Sequence, residues 1–414
     1  MRVLFVHQNF PGQFKHLAPA LAAQGHEVVA LGIEGGALPG IPYHRYTVSR
    51  GNDPKILPLL SDFETKLIRA ESCAKAALEL RLKGFTPDII ICHPGWGECL
   101  FLKDVWPGTR MLSFLEFYYA PEGADVGFDP EFVSPALAND PWAQVTDRAR
   151  LRVKNANNLL SMEMMDRGLC PTQWQKSTMP KVFHDRISVI FDGIDTDLVR
   201  PNPQAQVRLQ TAGKVLRTGD EVVTFVNRNL EPYRGYHVMM RALPEIQRRR
   251  PNAMVVIVGG DDVSYGARAP AGKTWKQIFL EEVRDRIDIE RVRFVGKLPY
   301  DTYLQLIQVS ACHVYLTYPF VLSWSCIEAM SAGGLLVASD TQPVREVVEH
   351  GRNGLLVDFH DPAALARTVV NVLENRDSLA PLRAQARRDI VDRYDLRTVC
   401  LPRQLELVSQ VATL

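Results

Sequence analysis

The chain has 414 residues, which at roughly 150 residues per domain points to two or three domains. With 46% hydrophobic and 23% charged residues it buries substantial cores, which excludes a disordered chain. Lys and Arg number 48 against 47 Asp and Glu, so no global field recruits nucleic acid or an anionic surface and any recognition is local.

Residues 1–6 open on a strand-like apolar run, and Gln8, Asn9 and Gln13 interrupt any signal-peptide core. Apolar, β-branched runs at 3–6, 28–31, 88–92, 111–117, 158–162 and 187–191 form a first series of predicted strands. A second series lies at 222–226, 254–258, 292–295, 314–318, 335–338 and 355–357. Continuous rather than alternating apolar strands, with amphipathic helical stretches between them, imply parallel sheets covered on both faces. The predicted fold class is therefore α/β, with two doubly wound parallel-sheet (Rossmann-like) domains. Pro201 and Pro203, within a break at 197–219, argue for a linker. The uncharged stretch 302–327 is long enough to span a bilayer, but Gln305, Gln308, Ser310, His313, Pro319 and Ser323 make it read as a helix and then a buried strand. From Asp361 the pattern is helical, with Pro362 placed to begin one helix and Pro402 to bend a later one. Cys73, Cys92, Cys99, Cys170, Cys312, Cys326 and Cys400 are scattered and contain no C-x-x-C pair, so a reducing cytoplasm is expected.

Several strand ends carry chemistry. After the first strand, the backbone near Gly12 and the helix that follows it offer a ligand position at the edge of a parallel sheet, or Gly12 simply makes a tight turn. Trp96, in His93-Pro94-Gly95-Trp96, presents a face for a sugar ring or for packing. Glu116 and Tyr118, in an aromatic stretch after a strand, read as a binding pocket or as core. In the second half, Arg228 and Arg234 leave the end of the first strand and are suited to neutralising a diphosphate through charge-assisted bonds; the alternative is two surface arginines, one bonded to Glu231. Ser325 and Glu328 have the spacing of a capping box, while a ligand reading gives the amides at this helix start to phosphate and the carboxylate to ribose hydroxyls. Asp195 and Asp197 form a D-x-D pair that also suits helix capping, and no metal site is expected. Arg148, Arg150, Arg152 and Lys154 form a basic run, either a solvated helix face or a contact for lipid headgroups.

Four blocks in order resemble glycosyltransferase family 4, the retaining GT-B family of bacterial glycan biosynthesis: 2–32, 189–195, 228–235, and 325–357 with its Pro343-Val344-Arg345-Glu346 and Gly351-Arg352-Asn353-Gly354 turns. The resemblance implies two domains facing a central cleft. It gives 1–198 mainly to the acceptor, 199–394 mainly to a nucleotide sugar, and returns 395–414 as a helix to the first domain. Arg228 and Arg234 match the cations that contact the donor diphosphate, and His93 matches a histidine near the transferred sugar, making these three the implied catalytic residues. Gly12, Lys297, Leu322, Ser323, Trp324, Ser325 and Glu328 are implied donor contacts; Trp96, Glu116 and Tyr118 are assigned to the acceptor. Where the family has the first glutamate of its E-x7-E motif, this chain has Phe320.

The expected reaction is transfer of a sugar, with retention, from a nucleoside-diphosphate sugar (UDP favoured over GDP) to a hydroxyl of a glycan or lipid-linked glycan in surface polysaccharide or glycolipid assembly. No cofactor, metal or nucleic acid is expected, and the expected location is the cytoplasm, with peripheral attachment to the inner membrane. The rivals are a nucleotide-sugar epimerase or hydrolase of the same fold, and a non-catalytic sugar-nucleotide-binding protein.

Overall fold

The structure is a computed structural model and describes residues 1–134, 139–208 and 215–414. It comprises two compact units: Met1–Gly193 with Arg397–Leu414, and Ile194–Leu396.

The first unit is built on β1 (Arg2–Val6), β2 (Glu27–Gly32), β3 (Tyr43–Arg45), β4 (Ile89–Cys92), β5 (Arg110–Phe114), β6 (Arg167–Cys170) and β7 (Ile187–Val189). All seven run parallel in the order β3-β2-β1-β4-β5-β6-β7. Because successive side chains on a strand point to opposite faces, each apolar run supplies two cores at once. Val3, Phe5, Val28, Ala30, Ile89, Ile91, Leu112 and Phe114 pack on one face with Phe14, Leu17 and Leu21 and with Leu407, Val408 and Val411. The intervening Leu4, Val6, Val29, Leu31, Ile90, Cys92 and Met111 pack on the other with Cys73, Ala77 and Leu80 of the helix Ser61–Leu82. Each of the Val, Leu, Ile, Phe and Met side chains among them contributes roughly 1.5–3 kcal/mol when fully buried. The helix Leu401–Ala412 thus completes the first unit's core although it follows the second unit in sequence.

Two sequence expectations are corrected here. Residues 158–162 lie in a helix, Ala156–Met164, and not in a strand; the buried Asn157, Asn158, Ser161 and Met162 recur at helical spacing, and Asn157 Nδ2 donates to the Pro94 carbonyl at 2.9 Å. The strand in that position is β6, whose Gly168 leaves room for Leu115; a Cβ there would stand 2.8 Å from Leu115 Cδ1. The strand expected at 111–117 ends at Phe114.

The second unit has β8 (Val222–Asn229), β9 (Met254–Gly260), β10 (Val292–Phe294), β11 (Cys312–Tyr315), β12 (Leu336–Ser339) and β13 (Leu355–Val357). They are parallel in the order β10-β9-β8-β11-β12-β13. The expected linker 197–219 contains an antiparallel ladder, Gln206–Arg208 with Val215–Arg217, whose Val207 and Leu216 join the core; residues 209–214 of it lie outside the described residues. The uncharged stretch 302–327 resolves into most of the helix Tyr300–Val309, β11 and the start of the helix Trp324–Ser331. Among the described residues no helix is long and apolar enough to cross a membrane. Pro362 opens the helix Pro362–Glu374, and Pro402 stands in the first turn of Leu401–Ala412, directly after the π-helical turn Leu396–Cys400.

His313, on β11, is fully buried; its Nδ1 lies 2.8 Å from Thr224 Oγ1, and burial lowers its pKa from 6.5 to about 4. Across that window the unfolded chain binds a proton that the folded one refuses, so stability falls as pH drops from 6.5 towards 4. Urea unfolding at neutral pH and at about pH 5 should show this loss, smaller in His313→Gln by roughly 1–3 kcal/mol.

Candidate functional site

In the second unit the parallel strands end at one edge, and the candidate donor residues are positioned there. β8 runs on to Asn229, so Arg228 sits in the strand's final residues, exposed and without an ion pair or hydrogen bond to any described residue. A single 3-10 turn, Pro232–Arg234, then points Arg234 inward, and Gly235 (φ 69°) starts the helix Tyr236–Arg249. A side chain at Gly235 would be strained by that φ, and its Cβ would meet Leu316 Cβ at 2.4 Å.

Arg234 is only 6% exposed. Its Nη1 donates to Thr317 Oγ1 (2.7 Å), the Val321 carbonyl (3.0 Å) and Tyr315 Oη (3.3 Å), and its guanidinium lies 5.3 and 5.7 Å from the ring centres of Tyr265 and Phe320. Burial alone would pull its pKa down, but Tyr315, Tyr265 and Tyr233 more than offset this, and the group stays charged. It forms no ion pair with a described carboxylate. Glu231, the partner considered from the sequence, instead accepts the backbone amides of Ser264, Tyr265 and Gly266 at 3.0–3.3 Å and fixes that loop.

The Tyr315 hydroxyl also accepts the Ser323 amide at 2.8 Å, which ties Arg234 to the start of the helix Trp324–Ser331 and so to Leu322, Ser323, Trp324 and Ser325. The helix starts one residue before Ser325 and its cap is Ser323, so the Ser325–Glu328 capping box does not form. Glu328, buried in the second turn, accepts the hydroxyls of Tyr300 (2.8 Å) and Tyr303 (2.7 Å), leaving lone pairs on both oxygens for a further donor. Lys297 is exposed after β10 and lies over Gly260, where a Cβ would stand 2.9 Å from Lys297 Cε. Phe320 joins an aromatic cluster, 5.0 Å from Tyr233 and 4.8 Å from Tyr265 between ring centres. Sequence reasoning missed Tyr315, Thr317 and the pair at the end of β8: Asn227 Nδ2 and Asn229 Oδ1 are buried without a hydrogen-bond partner among the described residues.

A cavity of about 470 Å³ lies elsewhere in this unit, lined by Arg345, His350 and Arg352 among others. Its cations are already engaged, Arg345 with Asp340 at 2.5 Å and Arg352 with Asp389 at 2.8 and 3.0 Å, so it is not the candidate donor site. Asp195 acts as a cap, accepting the Asp197 and Leu198 amides at 3.2 Å.

In the first unit, His93 follows β4 and is 2% exposed, its ring stacked between Trp96 (4.3 Å) and Phe114 (5.6 Å). Its Nδ1 accepts the Gly95 amide at 3.1 Å, which places the proton of the neutral ring on Nε2. That atom lies 3.3 Å from Glu116 Oε2, within ion-pair range but off the angle of a hydrogen bond. His7 repeats the arrangement: Nδ1 accepts the Asn9 amide (3.0 Å), and Nε2 meets Gln13 Oε1 (2.8 Å), whose Nε2 donates to Glu116 Oε1 (3.2 Å). Burial, then the neighbouring His93, lowers the His7 pKa to about 3. Burial pushes the Glu116 carboxyl up, but His93, His7 and Gln13 outweigh it and hold the group below its ordinary range, with 33% of the side chain still exposed. The result is an ionised carboxylate at the end of two histidine arms. His7 and Gln13 were outside the sequence-derived site because only folding places them beside a residue 103 positions away.

Gly12 and Tyr118 pack locally within the first unit. Gly12 (φ 48°) packs on the His7 ring and opens the 3-10 turn Gly12–Phe14, and the helix starts only at Leu17. Tyr118 packs with Phe183 against the cluster of Leu115, Met162 and Met165, and Trp96 gives one face to His93.

The chain matches two family models: "Glycosyl transferase family 4 group" over residues 24–199 and "Glycosyl transferases group 1" over 208–389. A glycogen synthase of Mycobacterium tuberculosis is 24% identical over 96% of this chain and 92% of its own length. A D-inositol 3-phosphate glycosyltransferase of Nocardia farcinica is 31% identical over 47% of this chain and 41% of its own length. Among solved structures, sucrose-phosphate synthase from Thermosynechococcus elongatus superposes with a TM-score of 0.72 at 17% identity, over 100% of both chains. Anabaena HepE, solved in complex with UDP, gives 0.67 at 18% identity over 99% of this chain and 100% of its own. The two matched segments, on two parallel-sheet units of the GT-B type, identify the chain as a member of the family 4 glycosyltransferases.

Proposed function

We propose that this glycosyltransferase moves a sugar from a nucleoside-diphosphate sugar, with UDP as the nucleotide, to an acceptor hydroxyl with retention at the anomeric carbon. The observation that carries the reading is Arg234: a buried guanidinium whose partners are all neutral, at the strand-end edge of a parallel sheet. A buried charge without a counterion is costly, and a diphosphate supplies the missing negative charge. Arg228, exposed near the same edge, adds a second cation, and the amides at the start of Trp324–Ser331 add donors. Glu328 and the strand-end Asn227 and Asn229 offer polar atoms to the nucleoside. UDP is favoured because the similar HepE is solved with UDP and with UDP-glucose.

In the proposed reaction the bond from the anomeric carbon to the leaving phosphate oxygen breaks as the acceptor oxygen bonds to that carbon on the same face. The acceptor proton passes to the departing phosphate oxygen. Arg228 and Arg234 stabilise the charge growing on the diphosphate, so no metal is required. His93 and Glu116 orient the acceptor hydroxyl in the first unit. The setting is the assembly of a surface polysaccharide or glycolipid on the cytoplasmic side of the membrane, in keeping with seven buried cysteines that form no disulfide among the described residues.

A calorimetric screen of UDP- and GDP-sugars, followed by mass spectrometry with candidate acceptors and NMR of the product anomer, tests the reading. Tighter binding of GDP-sugars would change the nucleotide, an inverted product would overturn the mechanism, and donor consumption without acceptor would favour an epimerase or hydrolase.

A further inference from the structure

The helix Pro141–Lys154 of the first unit carries an apolar, basic face that nothing described covers. Asp140 caps it, accepting the Trp142 amide at 2.8 Å, so Trp142 sits in the first turn with its side chain outward. Trp142 is 70% exposed and Val145 53%, and the indole makes no ring contact or hydrogen bond with a described residue. Residues three and four apart on a helix are neighbours on its surface, so the exposed Trp142, Val145, Arg148 and Arg152 form one stripe. The turn Pro58–Leu60 packs against this helix, and Leu57 and Leu60 beside it are 58% and 39% exposed.

The charge on this face is one-sided. Of the helix's cations, Arg148 and Arg152 lie on the stripe with no acid of the helix beside them, whereas Arg150 and Lys154 lie on its other side, and the whole chain carries a net charge of only +1. Arg148 pairs with Glu122 at 2.9 Å, and Arg150 with Asp147 at 2.7 Å. Both are exposed pairs of little net worth that another anion can replace. Arg152 has no ion pair among the described residues. A tryptophan and aliphatic side chains at one end of a helix, with arginines along its length, match a helix that lies in a membrane interface. The aliphatic Leu57, Leu60 and Val145 suit hydrocarbon better than the flat faces of nucleic-acid bases.

We propose that this face docks on an anionic lipid surface, with Trp142, Val145, Leu57 and Leu60 entering the headgroup region while Arg148 and Arg152 meet lipid phosphates. The inference specifies the membrane attachment in the proposed function but does not depend on the transfer chemistry, so each can fail alone.

The test is co-sedimentation of the full chain with vesicles of phosphatidylcholine alone and of phosphatidylcholine with phosphatidylglycerol. Binding is expected only to the anionic vesicles and is expected to weaken as salt rises. Arg148→Glu with Arg152→Glu, and separately Trp142→Ala with Val145→Ala, should each weaken it on the order of tenfold or more. These surface changes should leave the melting temperature close to wild type. Trp142→Phe should keep most of the binding but lose most of the fluorescence quenching by brominated lipid, which shows that this indole is the inserted one. Equal binding to both vesicle types, no binding to either, or full binding by both double variants would overturn the proposal. So would self-association in sedimentation velocity that Trp142→Ala abolishes while vesicle binding is absent, because the face would then belong to a second copy.

Discussion

Arg234→Ala is expected to reduce sugar transfer by on the order of 10²–10³-fold while the ligand-free protein melts close to wild type. Two opposing effects act on the ligand-free fold. The substitution leaves Thr317 Oγ1 and the Val321 carbonyl without their donor, a loss of about 1–3 kcal/mol. It also removes a buried charge that has only neutral partners, which relieves a desolvation penalty of comparable kind. With nucleotide present nothing offsets the loss, because the diphosphate then faces a site without its buried cation. Thermal melts with and without UDP therefore separate the two states: UDP should raise the melting temperature of the wild type and leave Arg234→Ala unmoved. Arg228→Ala should cost less, since an exposed guanidinium works against solvent screening. Wild-type turnover in Arg234→Ala, with UDP stabilisation intact, would falsify the assignment of the diphosphate to this residue.

Glu116→Gln should raise the acceptor KM by roughly ten- to a hundredfold, the worth of a hydrogen bond to a charged group, and leave donor affinity unchanged. The carboxylate is the terminus of both the His93 contact and the His7–Gln13 arm. An amide keeps the shape but presents one donor where an acceptor stood. The pH dependence supplies an independent readout. The folded Glu116 carboxyl lies below its ordinary value of 4.5, so its contribution to stability is complete above that value and disappears as pH falls through the lower folded one. The wild type should therefore lose its stability advantage over Glu116→Gln on acidification below about pH 4.5. An unchanged acceptor KM would remove Glu116 from the acceptor site, while an acid limb still present would show that the arms are structural.

The two parallel sheets were legible because most of their strands are runs of β-branched or aliphatic residues that must satisfy two cores; β3, Tyr-His-Arg, has no such run and was not expected. Residues 158–162 misled for a related reason: Leu159, Leu160 and Met162 look like a strand, but Asn157 and Asn158 are there to bond the Pro94 and Phe117 carbonyls from a helix. β6 escaped notice because four residues including a glycine leave little pattern. The donor arginines were legible as charges at a strand end, but the neutrality of the Arg234 environment was not, since Thr317 and Val321 lie 83 and 87 positions away. Spacing alone did not separate Ser323 from Ser325 as the cap. The tyrosines that hold Glu328 come from another helix, 28 and 25 positions earlier.

The helix Leu401–Ala412 sets an order for biosynthesis. Leu407, Val408 and Val411 are needed to close a hydrophobic layer whose other members lie within the first 190 residues. At about 5–20 residues per second on the ribosome, the early half emerges tens of seconds before its last packing partners. The later unit, contiguous from Ile194 to Leu396, has its whole complement first. Nascent chains arrested before Leu401 should therefore show a protease-resistant later half beside a still-cleavable early half, and holdase chaperones should favour the exposed apolar face around Phe14, Leu17 and Leu21 in the interval.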